Sequence, residues 1–468
     1  MIKKLNINNH IILYLFFASL VFFTQASSLN KEVIDWDEST YAIIANNLVN
    51  GNNLYVDVWE GKPPVLFYWI AFFIKMFGAN IFAVRIAGDV LIYLTVVFLF
   101  KILQDSYDSV YLSIIGCTFF IFLFNFNFAQ PTLSELPGLL FITFSIYIHR
   151  FYPKKTLLNG LVVGLAIMSR TNLGFLIFGF LIIYLREKYS IKKNFLFLIG
   201  SSTPFILFGA YFYFKNAFLN YLSGVFIEIT YSSSTNKISD FYNDVLVDKI
   251  ENLDLREIIF VFIVLITFYI GYKKNFTLNL SNEIILLVTL LISIFLGRSF
   301  FYHYIIQIYS LLTLFVVEVI FLLKLKKINL FVIIFLILIQ GNLVFLGFNN
   351  IYNYQQISNN YPIKKIAKKL DSKQYLAITN HLVYFYNQNE SPVVVHPGLY
   401  NNEKKFKNLF ENLISIGIIN ENERKLALLS KPEFILCDEI CNDILDVDYL
   451  KNYYVYQEYL DTIVYKLK

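Results

Sequence analysis

The sequence predicts a polytopic α-helical membrane protein, with interfacial helices in its first external loop and a small external α/β domain at its C-terminal end. Three observations carry that prediction. The 468 residues are 57% hydrophobic and 18% aromatic but only 16% charged, where soluble domains are about half apolar and about a quarter charged. Apolar runs near the ~20 residues that cross a bilayer recur as far as residue 348. Lys and Arg gather at alternate ends of those runs, as cytoplasmic loops require.

Taken in order, spans are expected at 10–27, 82–103, 109–128, 133–151, 194–215, 256–272, 282–297, 303–323 and 329–348. Residues 156–169 and 173–186 are shorter and read as two half-length helices meeting at Arg170. With that pair the count is about 11 crossings. The first run follows Lys3 and Lys4 and precedes the small residues of "TQASS", as a secretion signal would. Retention is expected, because the next segment reads as part of a membrane unit that needs this helix.

A cytoplasmic N-terminus puts Lys3/Lys4, Lys101, Arg150/Lys154/Lys155, Arg186/Lys188/Lys192/Lys193, Lys273/Lys274 and Lys324/Lys326/Lys327 on one side. The net charge of +5 therefore belongs to loops and implies no nucleic-acid partner. Arg170 and Arg298 fall at the opposite, external ends of helices, where this rule gives them no reason to be.

The external segment 28–81 is too long for a simple turn. "TYAIIANNLVNG" has helical apolar spacing and a glycine stop, with Asp37, Glu38 or Ser39 as its cap; Asp35 reads as a solvated loop residue. "PPVLFYWIAFFIKMFG" opens on a proline pair, ends in glycine and is too short to span, so it is expected to lie in the interface. Trp36, Trp59 and Trp69, the only tryptophans, all occur here and favour headgroup depth. A second external loop, 216–255, contains "YSSSTNKISD" and is polar enough to cover a site from the same side.

From residue 349 the composition becomes mixed, with strand-like "YLAIT", "PVVVH" and "FILCD". The expected division is a membrane domain, 1–348, and a soluble α/β domain, 349–468, outside the cytoplasm if the spans are odd in number. Cys117 lies in an apolar run. Cys437 and Cys441 form a C-x3-C, too sparse for a disulfide framework or a four-ligand zinc site. They are unremarkable thiols or one bridge in an oxidising compartment.

No nucleotide-binding loop or G-x-G-x-x-G fingerprint occurs, and the cytoplasmic loops are too short to house a nucleotide-binding domain. A soluble sugar nucleotide or ATP is thereby disfavoured as direct substrate. What the external loops do offer is "DWDEST" at 35–40 and the lysine of "WEGKPP". A carboxylate there can take a proton from a hydroxyl while a nearby cation stabilises a phosphate leaving group.

These residues carry a resemblance. "DWDESTYAIIANNLVNG" and "YVDVWEGKPPVLFYWIAFFIKMFGANIFAVRIAG" resemble the first external loop of the GT-C glycosyltransferases related to protein O-mannosyltransferases and the lipid A aminoarabinose transferases. "PTLSELPGLLF" resembles their second external loop, "GLAIMSRTNLGFLI" the paired short helices and "GRSFFYHYIIQIYSLL" a later helix start, over roughly residues 10–325. The resemblance implies sugar transfer from a polyprenyl-phosphate carrier, undecaprenyl-linked if the source is bacterial, to a lipid, glycan or protein acceptor at the external face. It implies a multi-pass inner-membrane protein whose C-terminal domain is periplasmic or extracellular.

By the same resemblance Asp37 matches the family's base, Lys62 its phosphate-contacting lysine, and Glu135 an acidic residue before proline, here in "SELP". In the loop after the seventh helix, where relatives carry a basic residue, the stretch "FLNYLSGVFIEITYSSSTNK" offers only Lys237. A single displacement with Asp37 as base predicts inversion at the anomeric carbon. The family has members with a proposed divalent metal and members without, and Asp37 with Glu135 is too small a ligand set to decide.

Each residue also has a plainer role. Asp37 and Glu38 can cap a helix, and Lys62 can snorkel at the interface. Arg170 and Arg298 at membrane depth need a partner or a water-filled cavity, which phosphate binding or a structural ion pair would each satisfy, with His303 a neighbouring donor. Arg85 and Asp89 stand four apart on a helix and are expected to pair. A different class, a lipid-linked glycan transporter or a non-catalytic glycan-binding membrane protein, would place polar groups along a path through the bilayer. Here the unexplained ones cluster toward the external side, which favours an enzyme.

Overall fold

The computed structural model describes residues 7–234, 269, 281–296, 302–323, 329–371, 373–388, 411, 413–415, 417, 423–437, 445, 447–459 and 462–468. The chain forms two compact units. One comprises Met1–Ser28, Gly88–Phe208 and Asn236–Ile351, and the other Leu29–Ala87, Gly209–Thr235 and Tyr352–Lys468.

Ten helices occupy the first half: α1 (Ile7–Gln25), α2 (Trp36–Val49), α3 (Val65–Phe77), α4 (Ile81–Tyr107), α5 (Val110–Leu123), α6 (Glu135–Phe151), α7 (Thr156–Ile167), α8 (Phe175–Arg186), α9 (Ile191–Phe214) and α10 (Phe218–Ser234). Apolar helices Ser281–Leu296, Tyr309–Leu322 and Asn329–Tyr352 follow. Every expected span within the described residues is helical over most of its length; the span expected at 256–272 lies outside them, save Tyr269. Segments His10–Asn30, Ile81–Tyr107, Ile191–Phe214 and Tyr302–Leu322 combine the length and hydropathy of membrane crossings. This is an integral membrane protein.

In the first unit the break between α7 and α8 falls where the sequence placed it. Arg170 has an extended backbone, φ −159°, and a 3₁₀ turn, Thr171–Gly174, leads into α8. Non-helical backbone at membrane depth survives only where protein buries it, and Arg170 and Leu173 are buried. Small residues bring α7 and α9 together: a Cβ on Gly160 would lie 2.1 Å from the Phe197 carbonyl oxygen, and one on Gly200 2.2 Å from that of Leu157. Glu318 accepts a hydrogen bond from Tyr107, 2.6 Å.

In the second unit four strands form one sheet of order β1-β2-β4-β3: β1 (Tyr375–Ala377), β2 (Phe434–Cys437), β3 (Tyr453–Tyr459) and β4 (Thr462–Leu467). β1 runs parallel to β2, while β4 is antiparallel to both β2 and β3. Leu376, Ile378, Ile435, Cys437, Leu445 and Tyr453 form the core beneath it. "YLAIT" and "FILCD" supply β1 and β2; "PVVVH" lies outside the described residues. Cys437 is disulfide-bonded, which is the bridged alternative, whereas Cys117 is free and buried. Cys441 lies outside the described residues.

The segment expected to form the first external loop belongs to the same unit. Helix Pro362–Leu370 opens on a proline, which lacks an N–H, and the next two N–H groups donate to Glu32 at 2.8 and 2.9 Å. Thr40 on α2 meets His381 Nε2 at 3.1 Å, and Trp36 packs on the same imidazole. His381 Nδ1 lies 2.9 Å from the Thr379 carbonyl, an acceptor only, so Nδ1 carries a proton.

Candidate functional site

Asp35 sits in extended backbone and its carboxylate accepts from the Asp37 N–H at 2.8 Å. The cap of α2 is therefore Asp35, correcting the expectation of Asp37, Glu38 or Ser39, and Asp35 is not a solvated loop residue. A short carboxylate in extended backbone reaches the N–H two residues on, which leaves Asp37 and Glu38 inside the first helical turn. Burial pushes the Asp35 carboxyl up to about 6, the Asp37 charge adds to this, and the hydrogen bond from the Asp37 N–H opposes it.

Asp37 Oδ2 receives two partners: the Tyr41 hydroxyl donates to it at 2.9 Å and the Lys62 ammonium at 3.0 Å. Tyr41 stands one helical turn on, so its hydroxyl comes to Asp37 from α2 itself. Lys62 Nζ also lies 3.5 Å from Glu60 Oε1 and 4.9 Å over the Tyr41 ring. Burial alone would pull Lys62 down, but Asp37, Tyr41 and Glu60 outweigh it and hold the ammonium well above its ordinary value. Both partners keep a route to solvent, with side-chain exposures of 32% for Asp37 and 16% for Lys62.

One residue along α2 is about 100° round the helix, and Glu38 has a different environment. It is buried and pairs with Arg85 at 3.4 Å, both side chains being almost fully enclosed.

The other acidic candidate lies in the first unit. Glu135 is the first residue of α6 and pairs with Arg170 Nη1 from the helix break. That guanidinium also donates to Ser134 Oγ at 3.2 Å and to Asn172 Oδ1 at 3.1 Å, and it stacks 3.9 Å over the Tyr304 ring. His303 Nε2 is 3.6 Å from Glu135 Oε1, and Asn172 donates onward to Gln307 at 3.1 Å. Side-chain exposure is 2% for Arg170 and 1% for Glu135.

The structure thus brings Asp37 to Lys62, Glu38 to Arg85, and Glu135 to Arg170 and His303. Arg298 and Lys237 lie outside the described residues. Asp37 and Glu135, the two candidate metal ligands, belong to different units, and among the described residues no three His, Cys, Asp or Glu side chains gather as a metal would require. Sequence reasoning passed over Tyr41, Glu60 and Tyr304. Tyr41 was findable at four residues from Asp37, and Glu60 at two from Lys62. Tyr304 was not, because its approach to Arg170 spans unrelated segments.

The fold is that of a polytopic membrane protein, and the resemblance read from the loop motifs is met by a family model over part of the chain and by a shared fold. Residues 61–214 match the sequence model of the family described as Dolichyl-phosphate-mannose-protein mannosyltransferase. The crystal structure of ArnT from Cupriavidus metallidurans bound to undecaprenyl phosphate shares the fold, with a TM-score of 0.64, 9% identity and coverage of 98% of each chain. The apo-state structure of the same protein aligns at a TM-score of 0.48 and 11% identity over 98% of each chain. No curated protein matches the sequence.

Proposed function

We propose that this protein transfers a sugar, hexose or pentose, from a polyprenyl-phosphate carrier to a lipid, glycan or protein acceptor at the external face of a bacterial inner membrane. The observation that carries the reading is the Asp37–Lys62 pair, a carboxylate and an ammonium 3.0 Å apart that both reach solvent. Support for the donor comes from ArnT, which is described as bound to undecaprenyl phosphate, and from the dolichyl-phosphate family that matches residues 61–214.

In the proposed reaction the acceptor hydroxyl gives its proton to Asp37 as its oxygen attacks the anomeric carbon. The bond from that carbon to the lipid phosphate oxygen breaks, its electron pair leaves with the phosphate, and Lys62 stabilises the added charge. The Lys62 ammonium has three N–H groups and faces Asp37, Glu60 and Tyr41, so it reaches a phosphate oxygen by exchanging one of these contacts. Displacement in one step inverts the anomeric centre. Arg298 and Lys237 are our candidates for further phosphate contacts. Glu38 with Arg85, and Glu135 with Arg170 and His303, we assign to holding their helices in place. The proposed topology has a cytoplasmic N-terminus and an external C-terminal domain.

The test is sugar release from radiolabelled undecaprenyl-phosphate sugar by purified protein in lipid, native against Asp37→Asn. Loss of turnover with donor binding retained supports the assignment of Asp37 to the chemical step. Equal turnover removes it as the base, and labelled lipid crossing the bilayer intact, with no release, favours a transporter.

A further inference from the structure

Lys62 is held from behind by an apparatus unrelated to its charge partners. Tyr55 is fully buried and donates its hydroxyl to the Lys62 carbonyl at 2.6 Å. Its backbone is left-handed, φ +68°, a conformation a non-glycine residue keeps only where its surroundings over-determine it. Those surroundings are visible. The Tyr55 N–H donates to the Val58 carbonyl at 2.7 Å, and the Tyr55 carbonyl accepts from Asn220 Nδ2 on α10 at 2.9 Å.

The ring of Tyr55 lies where only a glycine admits it. A Cβ on Gly224, one turn beyond Asn220, would come within 2.3 Å of Tyr55 Cε1 and 2.5 Å of Cδ1. Phe212 and Tyr221 close the other sides, with centroids 5.2 and 6.1 Å away. Between these anchors Trp59 donates its indole N–H to Ser223 Oγ at 3.3 Å, and Ser223 donates to the Asn220 carbonyl at 2.7 Å. Residues 55–62 are thus fastened to one face of α10 at Asn220, Ser223 and Gly224. The two prolines after Lys62 leave the chain little freedom downstream.

We propose that Tyr55, seated on Asn220 and Gly224, is the positioning residue that fixes the Lys62 ammonium for the donor phosphate. The inference rests on the proposed donor chemistry, but the clamp itself is testable without it. Tyr55 acts through the Lys62 main chain, to which its hydroxyl is bonded. Removing its hydroxyl leaves the ring packed in its slot and releases only the carbonyl, so the ammonium spreads over more positions.

The first measurement needs no substrate: the rate at which an amine-acylating ester labels Lys62, read by peptide mass spectrometry, in native protein and in Tyr55→Phe. Release from the Asp37 contact is expected to speed labelling at least threefold, with the melting temperature and the labelling of Lys365 unchanged. The same rate in both proteins overturns the proposal. The second is binding of undecaprenyl phosphate by native protein, Tyr55→Phe, Lys62→Ala and the double variant. Tyr55→Phe is expected to weaken binding about fivefold alone and not at all once Lys62 is gone; an equal loss in both backgrounds marks a general packing role and overturns it. Should labelling respond while native protein binds no polyprenyl phosphate, the clamp stands and the donor reading falls.

Discussion

Two ion pairs with the same formal charges occupy opposite regimes in this molecule. Asp37–Lys62 keeps 32% and 16% of its side-chain surface exposed, whereas Glu135–Arg170 keeps 1% and 2%. A pair that keeps part of its surface in water is screened, so its members exchange partners at lower cost than those of a sealed pair. A fully enclosed pair is different: removing one member leaves a buried charge and costs about 3–5 kcal/mol. Arg170 is also committed to Ser134, Asn172 and the Tyr304 face, while Lys62 faces Asp37, Glu60 and Tyr41. The first pair is the one we propose to react, and the second the one we propose to stay.

The largest expected effect tests the open pair. Asp37→Asn keeps the shape and removes the proposed base, and is expected to lower turnover about 10²–10⁴-fold with the melting temperature within a few degrees of native. Next, Lys62→Ala is expected to lower turnover about 10²–10³-fold by removing leaving-group stabilisation. In both, a large fall in melting temperature would put this pair in the structural regime and erase the contrast.

The enclosed pair is expected to behave oppositely. Arg170→Ala should destabilise by about 3–5 kcal/mol, and joint replacement, Arg170→Met with Glu135→Leu, should recover most of that loss. Thermal unfolding in detergent reads both. A native melting temperature together with lost donor binding would move Arg170 into the phosphate site instead.

The smallest effect sharpens the electrostatics beside Asp37. Asp35 has its folded pKa raised to about 6 from 3.8, so between those values the folded state binds more protons than the unfolded one. Stability contributed by protonated Asp35 is therefore present at low pH and is lost as pH rises from about 4 to about 6. An asparagine side chain caps a helix as well as an aspartate and does not ionise, so Asp35→Asn should flatten this part of the pH–stability curve and raise the melting temperature at pH 7. An unchanged slope in thermal unfolding across that range would show that Asp35 ionises freely.

Much of this was legible before any coordinates. The apolar runs, the basic ends and the isolated arginine between two short runs predicted the crossings and the break at Arg170, because bilayer thickness and backbone hydrogen bonding leave few alternatives. "DWDEST" and "GKPP" read as partners since both belong to one external loop. Local geometry blurred the detail: whether Asp35 or Asp37 caps α2 depends on which residue is extended, a difference of two positions. β3 and β4 were not singled out, their alternation being lost among the tyrosines of "YYVYQEY".

The sequence alone determined that the chain enters the membrane, where its helices break, and that a carboxylate and a lysine share one segment between apolar runs. These are properties of hydropathy and short spacing. The tertiary structure decided which charges are open and which are sealed. Glu38 meets Arg85 across 47 residues, Glu135 meets Arg170 across 35, and the loop bearing Lys62 is fastened to α10 from 165 residues away. Burial and pairing over such distances come from how helices pack, and packing sets the dielectric around a charge and so divides like pairs into open and sealed ones.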